Sequence, residues 1–293
     1  MSLTTKQQDF IKRKENVLSV EKTIELTEKE IKELIKKQAI SSNTLEQVEI
    51  DKIIELKTSL LSGLIIIWSE SLIKWLLYEH GAFETAQINT LLKNVNSQQW
   101  TGAITTAFWK AFSNIPYDPN KPIAKKRWID NSNQISNKDK ERFNKLYKLI
   151  ELKLDPSIII RNKIQHGEWI HSYKENGQSN KIEYSNSISS DVQNENILTL
   201  KLKRNQFKKI YQIIYDLAVF RNTGNFKLNN NETPFLFYFN QRYRQVLANQ
   251  NEIDNADYPS YKQKLINSTK RGETWRKKNK FRKVFRQLIR KLK

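Results

Sequence analysis

Residues 60–77, LLSGLIIIWSESLIKWLL, form the most apolar stretch of the chain and decide its fold. Apolar side chains would occupy nearly every side of a helix here, although Glu70, Lys74 and other polar residues interrupt them. A membrane-spanning helix needs ~20 almost uninterrupted apolar residues. The stretch therefore predicts a buried helix inside a helical bundle. It is expected to end at His80-Gly81, because glycine commonly ends helices.

The chain before this stretch also has a helical pattern. Apolar residues recur every three or four positions from Val17 to Leu34, which predicts an amphipathic helix ending at Ser41-Ser42-Asn43. A second pattern begins near Leu45 and continues into the apolar stretch. We expect two long helices joined by a short connection.

Helical periodicity returns in residues 138–154 and 207–220. Between them, Asp155-Pro156 predicts a break, because aspartate is a common helix cap and proline is common in the first turn. A short helix over residues 156–166 would follow and end at Gly167.

Strands are expected only in the middle of the chain. Residues 173–195 are rich in Asn, Ser and Gln and predict a surface excursion in which short strands such as 181–184 pair. Residues 197–202 alternate apolar and polar side chains, which predicts another strand. The predicted fold class is all-α: a helical bundle (48–222) after an N-terminal helical segment (1–47), with a linker and basic C-terminal tail (223–293).

The charge of the chain points to a polyanionic partner. It has 293 residues, 38% of them hydrophobic, which is enough for a sizeable core, and a net charge of +20. Nucleic acid is the first candidate. There is no cysteine, which excludes thiolate nucleophiles and cysteine-ligated zinc, and no glycine-rich phosphate loop. The N-terminus is polar without a signal-peptide core, so we expect a cytoplasmic protein.

The positive charge is concentrated in the tail. Residues 260–293 contain fourteen Lys and Arg but a single acidic residue, Glu273, so thirteen of the twenty net charges lie there. Phe281, Val284, Phe285, Leu288, Ile289 and Leu292 recur at helical spacing, which predicts a basic amphipathic helix. Its candidate RNA-binding residues are Lys277, Lys278, Arg282, Lys283, Arg286 and Arg290. A membrane surface is a weaker alternative, and a solvated helix is another.

One segment could carry chemistry without a metal ion: Arg161-Asn162-Lys163-Ile164-Gln165-His166-Gly167. An imidazole that titrates near neutrality can take the proton of a ribose 2′-hydroxyl or protonate the leaving oxygen. A guanidinium can hold the phosphate through two hydrogen bonds. The carboxylates and histidines of the chain are not spaced for a metal site, so we expect no metal and no cofactor.

The residues alone leave two interpretations of this segment open: a catalytic Arg–His pair, or a histidine that only ends a helix. Composition nearly supplies an Arg–His pair at this spacing by chance, and a histidine before glycine often only ends a helix. A five-residue step also turns ~140° around a helix, so Arg161 and His166 would not share a face. A site shared with a second copy of the chain would relieve that geometry.

The segment resembles the signature of the HEPN superfamily, in which an arginine and a polar residue precede a histidine by four to six positions. The resemblance is specific at Arg161, Asn162 and His166 and loose over residues 48–220. It implies a four- or five-helix bundle that dimerises with the two motifs facing each other. It also implies a metal-independent endoribonuclease that leaves a cyclic phosphate and a 5′-hydroxyl.

On this resemblance Arg161 and His166 are the catalytic pair and Asn162 orients them. Members commonly act as toxins or antiviral effectors, so an antitoxin or regulatory partner is possible. One subgroup carries a tyrosine two residues after the histidine that its antitoxin modifies, whereas this chain has Glu168 there. The rival interpretation is a non-catalytic RNA-binding or assembly subunit in which the motif serves dimer packing.

Overall fold

The computed structural model describes residues 4–94, 97–113, 115, 123–165, 173–176, 181–184, 195–220 and 234–268. These residues form helices α1 (Thr5–Ile40), α2 (Thr44–Leu77), α3 (Thr85–Lys93), α4 (Ser97–Phe112), α5 (Lys125–Asn131), α6 (Asn137–Gln165), α7 (Ile197–Phe220), α8 (Pro234–Asp254) and α9 (258–268). Two short strands, β1 (Tyr173–Asn176) and β2 (Lys181–Tyr184), pair antiparallel. The all-α class is confirmed.

Helices α1 and α2 form an antiparallel hairpin. The connection is three residues long: α1 ends at Ile40, and the side chain of Asn43 caps α2 by accepting a hydrogen bond from the Leu45 amide at 2.9 Å. This confirms the stop predicted at Ser41-Ser42-Asn43. On α1 the buried side chains Val17, Ile24, Ile31 and Ile35 face α2 and join the common core.

Helix α2 lies at the centre of the bundle and contacts α1, α4, α6 and α7. Within the described part of the chain it alone is long and apolar enough to cross a membrane, with a mean hydropathy of 1.6 over its best 18 residues. Of that window 61% is buried by other parts of the protein. Because core helices pass the same test, this burial agrees with the core helix predicted from the sequence. Beyond the helix, Gly81 has a φ of 73°, as expected for a glycine in a turn.

An ion-pair cluster joins α1 to α7. The Arg204 guanidinium on α7 lies 2.7 Å from a Glu21 carboxylate oxygen and 3.5 Å from one of Glu28, both on α1. It also lies 5.4 Å from the ring centroid of buried Trp68 on α2. The N-terminal helix is therefore tied to the bundle by charge as well as by apolar burial.

Helix α6 corrects the break predicted at Asp155-Pro156, because it runs without interruption from Asn137 to Gln165. A proline inside a helix costs about 3 kcal/mol through a lost hydrogen bond and a clash. Leu154 and Ile158 on either side are buried, and each fully buried aliphatic side chain contributes about 1.5–3 kcal/mol. Packing therefore outweighs the local preference of proline.

Helix α7 corrects the strand predicted over residues 197–202. Asn196 caps its start, because its side-chain oxygen accepts hydrogen bonds from the amides of Leu198 and Thr199, both at 3.1 Å. Ile197 and Leu200 are buried one turn apart. Their spacing of three positions fits a helical face that packs on the core, and it outweighs the short alternation in the sequence.

The core extends past residue 222, where the sequence indicated only linker and tail. Phe239, Tyr243 and Val246 on α8 are buried, and Phe239 packs against Phe108 of α4 with ring centroids 5.7 Å apart. Arg142 of α6 hydrogen-bonds Asn240. Helix α8 therefore completes the bundle beside α6 and α7.

A buried carboxylate, Asp216, lies between α7 and α8. It is 4% exposed, and its Oδ2 atom accepts a hydrogen bond from Arg242 Nε at 3.3 Å. Burial raises the pKa of Asp216 to about 6, and Arg242 opposes this rise. The folded chain therefore binds this proton more tightly than the unfolded chain does, and the contribution of Asp216 to the free energy of unfolding falls as pH rises from about 4 to about 6.

Asp216→Asn should therefore become progressively more stabilising, relative to the unsubstituted chain, as pH rises from about 4 to 6, and level off above that. Below pH 4 both side chains are neutral, so the difference in melting temperature should be smallest there. Thermal melts of the two proteins at half-unit pH intervals check this. A difference that shrinks with rising pH contradicts the assigned pKa.

Candidate functional site

The motif predicted to be catalytic lies at the C-terminal end of α6. Arg161 and Asn162 belong to the last two turns of this helix, which ends at Gln165, the residue before His166. Asn162 is half-buried and makes polar contacts. The side chain of Arg161 and all of His166 and Gly167 lie outside the described residues, as do the six basic tail residues from Lys277 to Arg290.

The register of α6 defines where the motif begins. Residue 161 follows Phe143 by 18 positions, or five turns, so its backbone falls in line with the stripe that buries Phe143, Ile150 and Leu154. Asn162 follows Glu151 by 11 positions and lies within ~20° of it around the axis. The motif therefore begins where the core-facing side of α6 reaches the end of the helix.

The turn between α8 and α9 lies close to both the middle of α6 and the first half of α2. Lys153 Nζ of α6 lies 3.9 Å from Asp254 Oδ1, at the last residue of α8. Four residues later α9 begins at Tyr258, whose pKa is raised by burial and then by the nearby Asp51 carboxylate of α2. The turn between α8 and α9 thus links both helices.

The first half of α2 carries an exposed apolar surface, here called the α2 face. Its residues share one side of the helix, and Leu45 is 76% and Leu56 51% exposed; the members are Leu45, Val48, Ile53, Leu56 and Leu60. A hollow of about 390 Å³ lies between the last three and Lys57. Glu49 and Lys52 lie within the same face. An exposed apolar surface beside a hollow is typical of an association site.

A larger polar groove, of about 1000 Å³, lies between α3, α4, α5 and α6. Hydroxyl and amide side chains of α3 and α4 line one wall, and three consecutive cations at the start of α5 lie on the other. The polar and charged lining residues are Thr90, Asn94, Gln98, Thr101, Thr105, Thr106, Lys125, Lys126, Arg127, Asp130, Asn131, Tyr147 and Glu151.

The three cations of the groove have different surroundings. Lys125 is half-buried, its ammonium lies 5.8 Å from the Trp109 ring centroid, and burial lowers its pKa. Lys126 Nζ lies 5.3 Å from the Tyr147 ring centroid and 3.1 Å from Asp130 Oδ2. Arg127 is exposed at the rim. An anion in the groove would stabilise the charged form of Lys125, which burial disfavours.

The opposite wall depends on a glycine. A Cβ atom on Gly102 of α4 would lie 2.8 Å from Leu91 Cδ2 and 3.0 Å from Asn94 Nδ2 of α3. Only glycine therefore lets α3 approach α4 this closely without a shift of those side chains. The sequence analysis missed this groove. The signal that could have found it is Lys125-Lys126-Arg127-Trp128, three cations and an aromatic residue shortly after a proline-rich stretch of sequence.

Among the described residues, no group of three or more His, Asp or Glu side chains could hold a metal ion. No family model, curated protein or solved structure matches this chain. The described residues thus include the start of the motif near the end of α6, an exposed apolar face on α2 and a polar, partly cationic groove beside α6.

Proposed function

We propose that this protein is a metal-independent endoribonuclease of toxin or antiviral-defence type that uses Arg161 and His166. The observation that carries the proposal is the continuity of α6, which packs against α2 and α4 and ends one residue before His166. Because α6 is packed into the core, the helical part of the motif is held in a fixed position. Catalytic groups have to be held in this way.

The proposed reaction needs one base and one acid. The ribose 2′-oxygen attacks phosphorus as an imidazole removes its proton, and the bond from phosphorus to the 5′-oxygen breaks as that oxygen gains a proton. A cyclic phosphate and a 5′-hydroxyl result. Arg161 stabilises the added charge on the phosphate, and Asn162 orients the pair. Two copies of His166, one from each subunit, would supply the base and the acid.

His166→Ala should lower RNA cleavage at least ~100-fold, because general acid–base groups contribute typically 10²–10⁴-fold. The measurement is cleavage of mixed RNA by the purified protein in excess chelator, with analysis of the product ends. His171→Ala is the matched control, since it removes a histidine five residues away, and it should cut normally.

Unchanged cutting by His166→Ala would assign the activity to other residues. Firm RNA binding by the unsubstituted chain without any cutting would favour the rival function, a non-catalytic RNA-binding subunit.

The dimer that this mechanism uses would form through the α2 face. In an antiparallel pair of α2 helices with a two-fold axis between residues 50 and 51, Leu45 meets the partner's Leu56 and Val48 meets the partner's Ile53. Glu49 then meets the partner's Lys52 twice, once on each side of the axis. This register pairs apolar residues with apolar ones and the acidic residue with the basic one, which is the self-complementarity that a two-fold interface requires.

Leu56→Glu should weaken dimerisation at least ~10-fold, because it places a carboxylate against apolar side chains at the centre of an interface. Sedimentation velocity over a concentration series measures this. Leu152→Glu is the control, because Leu152 is 69% exposed on α6 and lies outside the α2 face. In Leu56→Glu both cleavage and dimerisation should fall, whereas in Leu152→Glu neither should. Two variants that remain equally dimeric would exclude this interface.

The basic tail would capture RNA through its phosphates. Changing Arg282, Lys283, Arg286 and Arg290 to Gln should reduce the slope of log K against log salt by about 3, since each phosphate contact on a single strand contributes about 0.7. Fluorescence anisotropy at several salt concentrations measures the slope. The control removes four exposed lysines of α1, namely Lys12, Lys14, Lys22 and Lys29. Equal slopes for both variants would show that the tail does not bind RNA.

A further inference from the structure

We infer that the polar groove between α3, α4, α5 and α6 binds single-stranded RNA and holds nucleotides next to the bond that the motif would cut. This inference rests on the proposed function for its role in cleavage. The binding itself can be tested separately. The groove is lined by described side chains, and neither the tail nor the motif contributes to its lining.

The lining of the groove matches the groups of an unpaired nucleotide. Lys125 and Arg127 can meet phosphates, and the half-buried Tyr147, beside Lys126, offers a ring on which a base can stack. Amides such as Asn94 and Gln98 can both donate to and accept from base edges. Glu151 can accept hydrogen bonds from ribose hydroxyls or base amino groups. This combination of cations, a ring, amides and a carboxylate is suited to bases as well as to phosphates.

The same lining disfavours a duplex. Double-stranded RNA is recognised by its shape and by backbone contacts spread over ~16 base pairs, with the base edges largely hidden. Asp130 and Glu151 would face phosphates in such a complex and repel them. An unpaired strand can place its bases against these carboxylates and its phosphates toward the cations.

The position of the groove relates it to the motif. Glu151 lines the groove, and Arg161 follows it by ten residues on the same helix, a rise of ~15 Å. At a stacked spacing of ~3.4 Å per nucleotide this is about four nucleotides. Asn162 lies on the same side of α6 as Glu151, within ~20°. A strand lying in the groove along α6 would therefore lead to the motif.

The test compares two charge reversals in a protein that cannot cut, the full-length chain with His166→Ala. Arg127→Glu changes an exposed arginine in the groove, and Lys148→Glu changes an exposed lysine on α6 outside it. The probe is a 12-nucleotide, mixed-sequence RNA with a 5′ fluorophore, and its anisotropy gives Kd at fixed low salt. Arg127→Glu should raise Kd about tenfold, and Lys148→Glu by less than about twofold. Arg127→Lys, which keeps the charge, should restore most of the affinity.

A second pair of variants blocks the groove without altering charge. Thr90 is exposed at the rim, and Asn89 beside it is exposed but does not line the groove. Thr90→Phe should weaken RNA binding, whereas Asn89→Phe should not. Circular dichroism melts of all variants should match the parent chain, which separates loss of binding from loss of folding.

The inference is overturned if both members of each pair bind the probe equally. It is also overturned if AMP or ATP binding depends on Arg127 while RNA binding does not, or if Arg127→Glu weakens a duplex of the same sequence more than the single strand. Because the parent protein is inactive by design, the result does not depend on cleavage. If RNA binding depends on the groove but the unsubstituted chain, with His166 intact, never cuts RNA, the inference about the groove stands and the proposed nuclease activity is excluded.

Discussion

The structure depends on the burial of α2. This helix contacts α1, α4, α6 and α7, and its buried side chains, among them Leu61, Ile65 and Trp68, supply the centre of the core. Each fully buried side chain of this size contributes about 1.5–3 kcal/mol, which is several times the value of an exposed ion pair. The same helix leaves its first half exposed on one side. Burial and exposure are therefore divided along one element, with burial toward the C-terminus and an accessible apolar face toward the N-terminus.

The strength of that core explains which parts of the fold the sequence could predict. Long periodic stretches and their caps were sufficient for α1, for α2 and for the turn at Asn43. Local signals failed where tertiary burial opposed them. Pro156 and the alternation over 197–202 are such cases, because Leu154, Ile158, Ile197 and Leu200 gain more from packing than the local preferences cost. Helix α8 was missed because an asparagine-rich linker precedes it and a strongly charged tail follows it, and both obscure its buried residues Phe239 and Val246.

The candidate site likewise has one part that the sequence could predict and one part that it could not. The motif is a short linear pattern, so the sequence alone identifies Arg161, Asn162 and His166. The groove is assembled from side chains of four consecutive helices, and no linear pattern joins Thr106 to Lys125 or to Glu151. Its one local signal, the cations at 125–127, lies in a basic chain where such runs are usually solvated. Gly102 is informative only after α3 is known to lie against it.

The charges of the chain fit a division of labour in RNA binding. A tail with thirteen net positive charges acts at long range on any polyanion and loses strength as salt rises, because its energy comes from counterion release. The groove contains cations and carboxylates close together, so its net field is weak and its selectivity must come from contact geometry. Capture of RNA by the tail would thus rely on long-range electrostatics, and its alignment in the groove would rely on contact geometry. On the proposed function, a strand held loosely by the tail would gain specificity where its bases enter the groove, and that groove lies along α6, the helix that carries Arg161 and Asn162.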